Sequence, residues 1–245
     1  MFRMKKSNLK PMPRKLYRII TDYAKKTQKF NSINRKAYIS GGYGIYLHAK
    51  NRKFKHNLLE TKDIDITIPI DNINQIDYYI NKIKSIIKEM CDKNNLKYKN
   101  FNFKKFTFRK PIVQNKYRKI VNFAWFGVTY KNKYECFDFM FSKNNKVYKN
   151  LKLSQKFGFP IKTLSSYVED TYILLVKEYL KGVNDFAYKK RNPKYGEFKL
   201  KGQKDLARLK FLCQHSKINW CSHVNTSNKG LLDMYVYLMS QYNNK

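Results

Sequence analysis

TKDIDITIPI, residues 61–70, alternates polar and apolar side chains through Ile68, the period-two pattern of a half-buried strand that Pro69 ends or edges. In an extended chain, residues two apart share a face, so Asp63 and Asp65 point one way while Ile64 and Ile66 point into a core. Two carboxylates crowded on one spot repel each other. A hard divalent cation, which takes oxygen ligands and keeps substrate phosphates and water in its shell, makes such a pair favourable.

Upstream, KAYIS (36–40) reads as a short strand, Gly41-Gly42 as a tight turn, and YGIYLHAK (43–50) as the first turns of a helix. Before them, Pro13 is well placed for a helix N-terminus, with Leu16, Ile19, Ile20 and Tyr23 at helical spacing. Downstream, Ile73, Ile76, Ile80, Ile83, Ile87 and Met90 predict a long amphipathic helix from about Asn72 to about Asn94. Three strand-like segments follow, LKYKNFNFKKFTFR, YRKIVNFAWFGVTY and KYECFDFMFS, with NKVYKNLKL as a further short strand. Helical patterning returns in TLSSYVEDTYILLVKEYLKG, QKDLARLKFLCQH and GLLDMYVYLMSQY. KGVNDFAYKKRNPKYGEFKLKG reads as a loop or hinge. The expected organisation is a basic N-terminal arm and helix over 1–35, a core over 36–150 and a helical lobe over 151–245.

A third acid stands in the aromatic strand ECFDFMF, where charge serves no structural need: Asp138, on a face with Cys136 and Met140 and opposite Phe137, Phe139 and Phe141. Glu135 falls on the other face. If the strands bearing Asp65 and Asp138 are neighbours, three acids can hold two metal ions beside an attacking hydroxyl and a leaving pyrophosphate. The backbone amides of Ser40-Gly41-Gly42 and of the helix that follows would cradle a triphosphate, glycine permitting close approach.

A Gly-Gly turn opening a helix, a strand with Asp-x-Asp and a later strand with one Asp, in the order Gly41-Gly42, Asp63-Ile64-Asp65, Asp138, resembles the polymerase-beta-like nucleotidyltransferase superfamily over roughly residues 36–142. Within it, YISGGYGIYL, TKDIDITIPI, GFPIKTLSSYVEDTYILLV and KDLARLKFL look most similar to the poly(A) polymerases of large DNA viruses. The resemblance implies an α/β fold of the α+β kind, a mixed sheet with packed helices followed by a mostly helical C-terminal lobe. It also implies Ser40, Gly41 and Gly42 at the triphosphate, Asp63 and Asp65 as shared ligands of Mg²⁺ or Mn²⁺, two ions in all, and Asp138 nearest the attacking 3′-hydroxyl. Lys204 and Asp205 resemble a Lys/Asp feature that some members place near the nucleotide. The implied activity is template-independent transfer of nucleoside monophosphate from an NTP, ATP first among them, to an RNA 3′ end. The alternatives are modification of tRNA or protein, as in toxin-like members, and a non-catalytic basic RNA-binding or processivity subunit. The chain is short for a complete poly(A) polymerase, which makes a protein partner or a second copy a candidate to hold RNA.

Composition frames these readings. The chain has 245 residues, enough for a sizeable core, and 52 Lys+Arg against 17 Asp+Glu give a net charge of +35. Such a surface attracts polyanions, nucleic acid foremost, although a chain rich in Lys, Asn, Ile, Tyr and Phe is also what an A+T-rich coding sequence produces. Phe106, Phe108 and Tyr117, beside Arg109, Lys110 and Arg118, could stack bases or belong to the core. YKKRNPKYGEFKLKGQK could follow a phosphate backbone or be a solvated loop. Four cysteines are too sparse for a disulfide scaffold and read as reduced thiols of a cytoplasmic protein, or of a virion or viral factory if the source is viral. Cys213, His215, Cys221 and His223 are legitimate zinc ligands, but their one-residue gaps are not finger spacing and Cys213 also fits a buried helix face. His48 and His56 read as surface residues. No run is long and apolar enough to span a bilayer, so no membrane partner is expected.

Overall fold

The computed structural model describes residues 9–52, 63–115, 120–143, 153–154, 158–164, 167, 211 and 215. The chain divides into two compact units, one of residues 1–47 and 61–162, the other of 48–60 and 163–245.

The elements run α1 (Arg14–Thr27), β1 (Tyr38–Ile39), α2 (Gly41–Asn51), β2 (Ile64–Ile70), α3 (Gln75–Lys93), a 3₁₀ turn (Tyr98–Asn100), β3 (Phe101–Asn115), β4 (Ile120–Tyr130), β5 (Tyr134–Lys143), β6 (Leu153–Ser154) and β7 (Ile161–Lys162). The strands form one mixed sheet in the order β3-β4-β5-β2-β1-β7-β6. β3, β4 and β5 make an antiparallel meander. β5 pairs with β2 in parallel, β2 with β1 antiparallel, and β1 with β7 in parallel. This is the mixed α+β architecture that the strand and helix periodicities predict. The β4–β5 connection turns through Lys131 and Asn132, both at φ 52°, the left-handed backbone that lets a tight turn follow the twist of the strands it joins.

The two faces of the sheet differ in chemistry because registered partners share a face. One carries Ile64, Ile66 and Ile68 of β2, Phe137, Phe139 and Phe141 of β5, and Phe126 and Val128 of β4, all buried. Their rings run together: Phe103 stacks on Phe126 at 5.9 Å, Phe126 meets Phe139 at 6.1 Å, and Phe30, after α1, stacks on Phe137 at 5.2 Å. Helix α3 lies along this face, with Lys84 Nζ over the Phe103 ring and Lys105 of β3 bonded to Asp77 at 2.6 Å. Removing these apolar side chains from water is the main force holding sheet to helix. The other face carries Asp65, Thr67, Asp138, Met140, Trp125 and Gly127.

Several expectations are corrected in detail. Pro69 does not end its strand, which runs on to Ile70; it lies opposite Ser142 with its other flank outside any ladder. β1 pairs only with Ile66 and Thr67, so among the described residues no strand lies beyond them on that flank of β2, and the Pro69 carbonyl accepts from Asn34 Nδ2 at 2.7 Å. A proline costs no ladder bond there. Past Asp65, β2 is buried on both faces rather than half-buried. α3 starts at Gln75, leaving Ile73 44 % exposed, and buries Ile86 and Cys91 beside the expected stripe. The first of the three strand-like segments begins with a 3₁₀ turn, and of NKVYKNLKL the described strand covers only Leu153, continuing to Ser154. β7 has no counterpart in the sequence reading. In the second unit, Leu164, Tyr167 and Phe211 are helical and buried and His215 is helical and half-buried; apart from Thr163, the rest of the predicted C-terminal helices lies outside the described residues.

Candidate metal centre

β2 and β5 bring two acids side by side. Asp65 and Asp138 are register partners in a parallel pair, so their side chains leave the same face of adjacent strands, about 5 Å apart. Asp63 sits in the bend just before β2 and turns toward them. One carboxylate oxygen from each of the three lies within 4.8 Å of the others, and all three residues are half-buried. Three acceptor-only groups at that separation match the oxygen-rich donor set that hard divalent cations take, with room left for water or substrate oxygens. The three acids singled out in the sequence therefore meet at one point, and they could hold a metal ion.

The glycine turn arrives at the same point. Ser40 N–H donates to the Asp65 carbonyl at 2.9 Å, fastening the end of β1 to β2. The two glycines are not a separate turn ahead of the helix: α2 begins at Gly41 itself. Gly41 has φ +57°, and a Cβ there would lie 2.5 Å from Asp65 Oδ2 and 2.8 Å from its Cγ. Only glycine lets the helix start against the carboxylate. Gly42 is buried and Ser40 half-buried. No acid occupies the first turn of α2, whose unpaired N–H groups and dipole favour an anion.

Other residues fall elsewhere. Lys204, Asp205, His56, Cys213, Cys221 and His223 lie outside the described residues; His215 has its ring 4.9 Å from that of Phe211. His48 sits on α2 with its ring 5.9 Å from Tyr167. Two features were not legible beforehand. β5 carries one extra residue where the register with β4 shifts between Val128↔Phe137 and Thr129↔Glu135. This bulge at Cys136 interrupts simple alternation and buries Cys136 completely, just ahead of Asp138. Lys162, on β7, is buried with its ammonium 4.7 Å from the centre of the Tyr38 ring. Through the β2–β1–β7 registers it shares the sheet face of Asp65.

Burial, with the Asp63 carboxylate next in weight, pushes the Cys136 thiol up to about 12. Alkylation needs the thiolate, so at pH 8 Cys136 should react at least a hundredfold more slowly in the native protein than in the unfolded chain. Mass-spectrometric labelling of this residue with iodoacetamide tests the point; equal rates in the two states would show that the strand does not close over it.

The structure thus defines an α+β protein with a three-carboxylate cluster at the start of a helix. No protein-family model matches the chain, and no curated protein matches it. Among solved structures, it is similar to the crystal structure of the Megavirus polyadenylate synthase, at 11% sequence identity and a TM-score of 0.45. The match covers 88% of this chain and 39% of that one, so the chain spans about two fifths of that protein's length. Among the described residues, no helix is long and apolar enough to cross a membrane.

Proposed function

We propose that this protein is a template-independent nucleotidyltransferase that adds nucleoside monophosphates from an NTP, ATP first among them, to an RNA 3′ end. The observation that carries the reading is the meeting of Asp63, Asp65 and Asp138 against the glycine that opens α2. The resemblance of the three-motif order to the polymerase-beta-like superfamily supports it, and the +35 charge supports RNA as acceptor.

Each group has a task. Ser40, Gly41 and Gly42 present backbone amides to the triphosphate. Asp63 and Asp65, with Asp138, would hold Mg²⁺ or Mn²⁺, two ions in all, which when bound would neutralise phosphate charge and favour the hydroxyl as a nucleophile. Asp138 stands nearest the acceptor 3′-hydroxyl and receives its proton. The hydroxyl oxygen forms the new bond to the α-phosphorus, and the bond from that phosphorus to the pyrophosphate oxygen breaks.

The test is incubation of 5′-labelled RNA with each NTP separately and Mg²⁺ or Mn²⁺, beside Asp63→Ala/Asp65→Ala. The expected result is extension by the wild type alone, with the preferred NTP naming the tail. Label passing from NTP to tRNA or protein, with no extension of oligonucleotide, would move the acceptor. RNA binding without any transfer would make the basic surface the function.

A further inference from the structure

The proposed reaction needs a means of seating the acceptor end beside Asp138, and the sheet offers one on the same face. Gly127 of β4 is the register partner of Asp138, and Trp125 that of Met140. A Cβ at Gly127 would collide with Cη2 and Cζ2 of Trp125. The six-membered ring of the indole therefore occupies the space above Gly127 that any other residue's side chain would fill, one strand spacing from Asp138. Trp125 is half-buried, so part of the residue stays accessible.

The surface continues outward on the same face. Phe106 of β3 is the partner of Trp125 and is 37 % exposed; its ring meets Phe108 edge-on at 5.5 Å. Lys104, the partner of Gly127, is exposed. An indole beside the third carboxylate, then a phenylalanine, with a lysine alongside, is the composition of a single-strand nucleic-acid platform, on which bases stack and a cation meets the backbone. An apolar side chain left open in a chain of charge +35 suits a polyanion carrying flat rings better than it suits another protein surface of this kind.

We infer that Trp125, laid over Gly127, stacks the 3′-terminal base of a single-stranded RNA acceptor and so positions its hydroxyl at Asp138. The inference rests on the transferase reading, and a measurement independent of catalysis separates the two. Trp220 is the other tryptophan of the chain, so a Trp220→Phe protein reports Trp125 fluorescence alone. Titration with a short RNA oligonucleotide should quench that emission. An oligonucleotide of equal length and charge whose 3′-terminal nucleotide is abasic should quench it at concentrations roughly 5- to 150-fold higher, the range for loss of one stacked base. ATP alone should not quench it. In the extension assay, Trp125→Ala should raise KM for RNA by a similar factor with KM for NTP unchanged, and Trp125→Phe should restore most of the loss.

Equal quenching by the two oligonucleotides, no quenching by either, or full quenching by ATP would overturn the inference. If the oligonucleotides are distinguished but no NTP is ever transferred, the platform stands and the transferase reading falls. If RNA is extended and Trp125→Ala leaves its KM unmoved, the reverse holds.

Discussion

Asp65→Asn is expected to slow RNA extension by a thousandfold or more while raising the melting temperature of the metal-free protein. The two effects have one origin. Three carboxylates within 4.8 Å of each other repel when no cation lies among them, and an amide of nearly the same shape removes two of the three repulsions. Relief worth about 1 kcal/mol raises the melting temperature of a protein of this size by about 2–4 °C. In the proposed reaction the same change would remove one of the three carboxylates that hold the metal, and losing about 4 kcal/mol of transition-state stabilisation is a thousandfold in rate. Mg²⁺ should therefore raise the melting temperature of the wild type, since it binds only the folded state, and leave the variant unmoved. Calorimetry with and without Mg²⁺ beside the extension assay reads both. A variant that melts lower than the wild type without metal would show that Asp65 holds the fold together and not an ion.

The second large effect is expected from Gly41→Ala, a change of one methyl group. Gly41 has φ +57°, where an alanine costs about 1–2 kcal/mol in backbone strain. The added carbon also meets Asp65 Oδ2 at 2.5 Å, so the carboxylate must swing away or α2 must back off. Either movement spoils the spacing among the three acids. A displacement of about 1 Å in a reacting constellation costs on the order of a hundredfold in rate, so extension should fall by that much and Mg²⁺ should bind more weakly. Thermal unfolding and a Mg²⁺ titration followed by calorimetry measure the two parts. An alanine variant of wild-type stability and Mg²⁺ affinity would mean that the helix start and the acids are not coupled.

The features legible in the sequence are those set by neighbours along the chain. Ile64, Ile66 and Ile68 announce a strand because the pleat has period two, and the isoleucines of α3 announce a helix because its turn has period 3.6. Asp63 and Asp65 stand out because two carboxylates two residues apart crowd one face of a strand, and Asp138 because it is a charge in the middle of an aromatic strand. The missed features depend on what lies across the sheet. Pro69 reads as a strand end until one knows that β1 stops alongside Thr67. The bulge at Cys136 is a matter of register with Thr129, which no window along β5 reveals. β7 has two residues, too few for a period. Trp125 and Gly127 look like ordinary alternation in an aromatic strand; only the collision at Gly127 shows that the pair is one object.

The parallel pairing of β2 with β5 also sets the order in which the chain can become functional. Asp65 and Asp138 stand some seventy residues apart, with α3 and the whole β3–β4 hairpin between them. Helix and hairpin can form from local contacts within microseconds, but bringing β5 back beside β2 closes the long loop and comes late. A half-folded chain would hold secondary structure and a basic surface yet present only Asp63 and Asp65 to an ion. Tight cation binding during refolding would accordingly time the closing of the sheet, and a polypeptide stalled before that step would keep its basic surface without the third carboxylate.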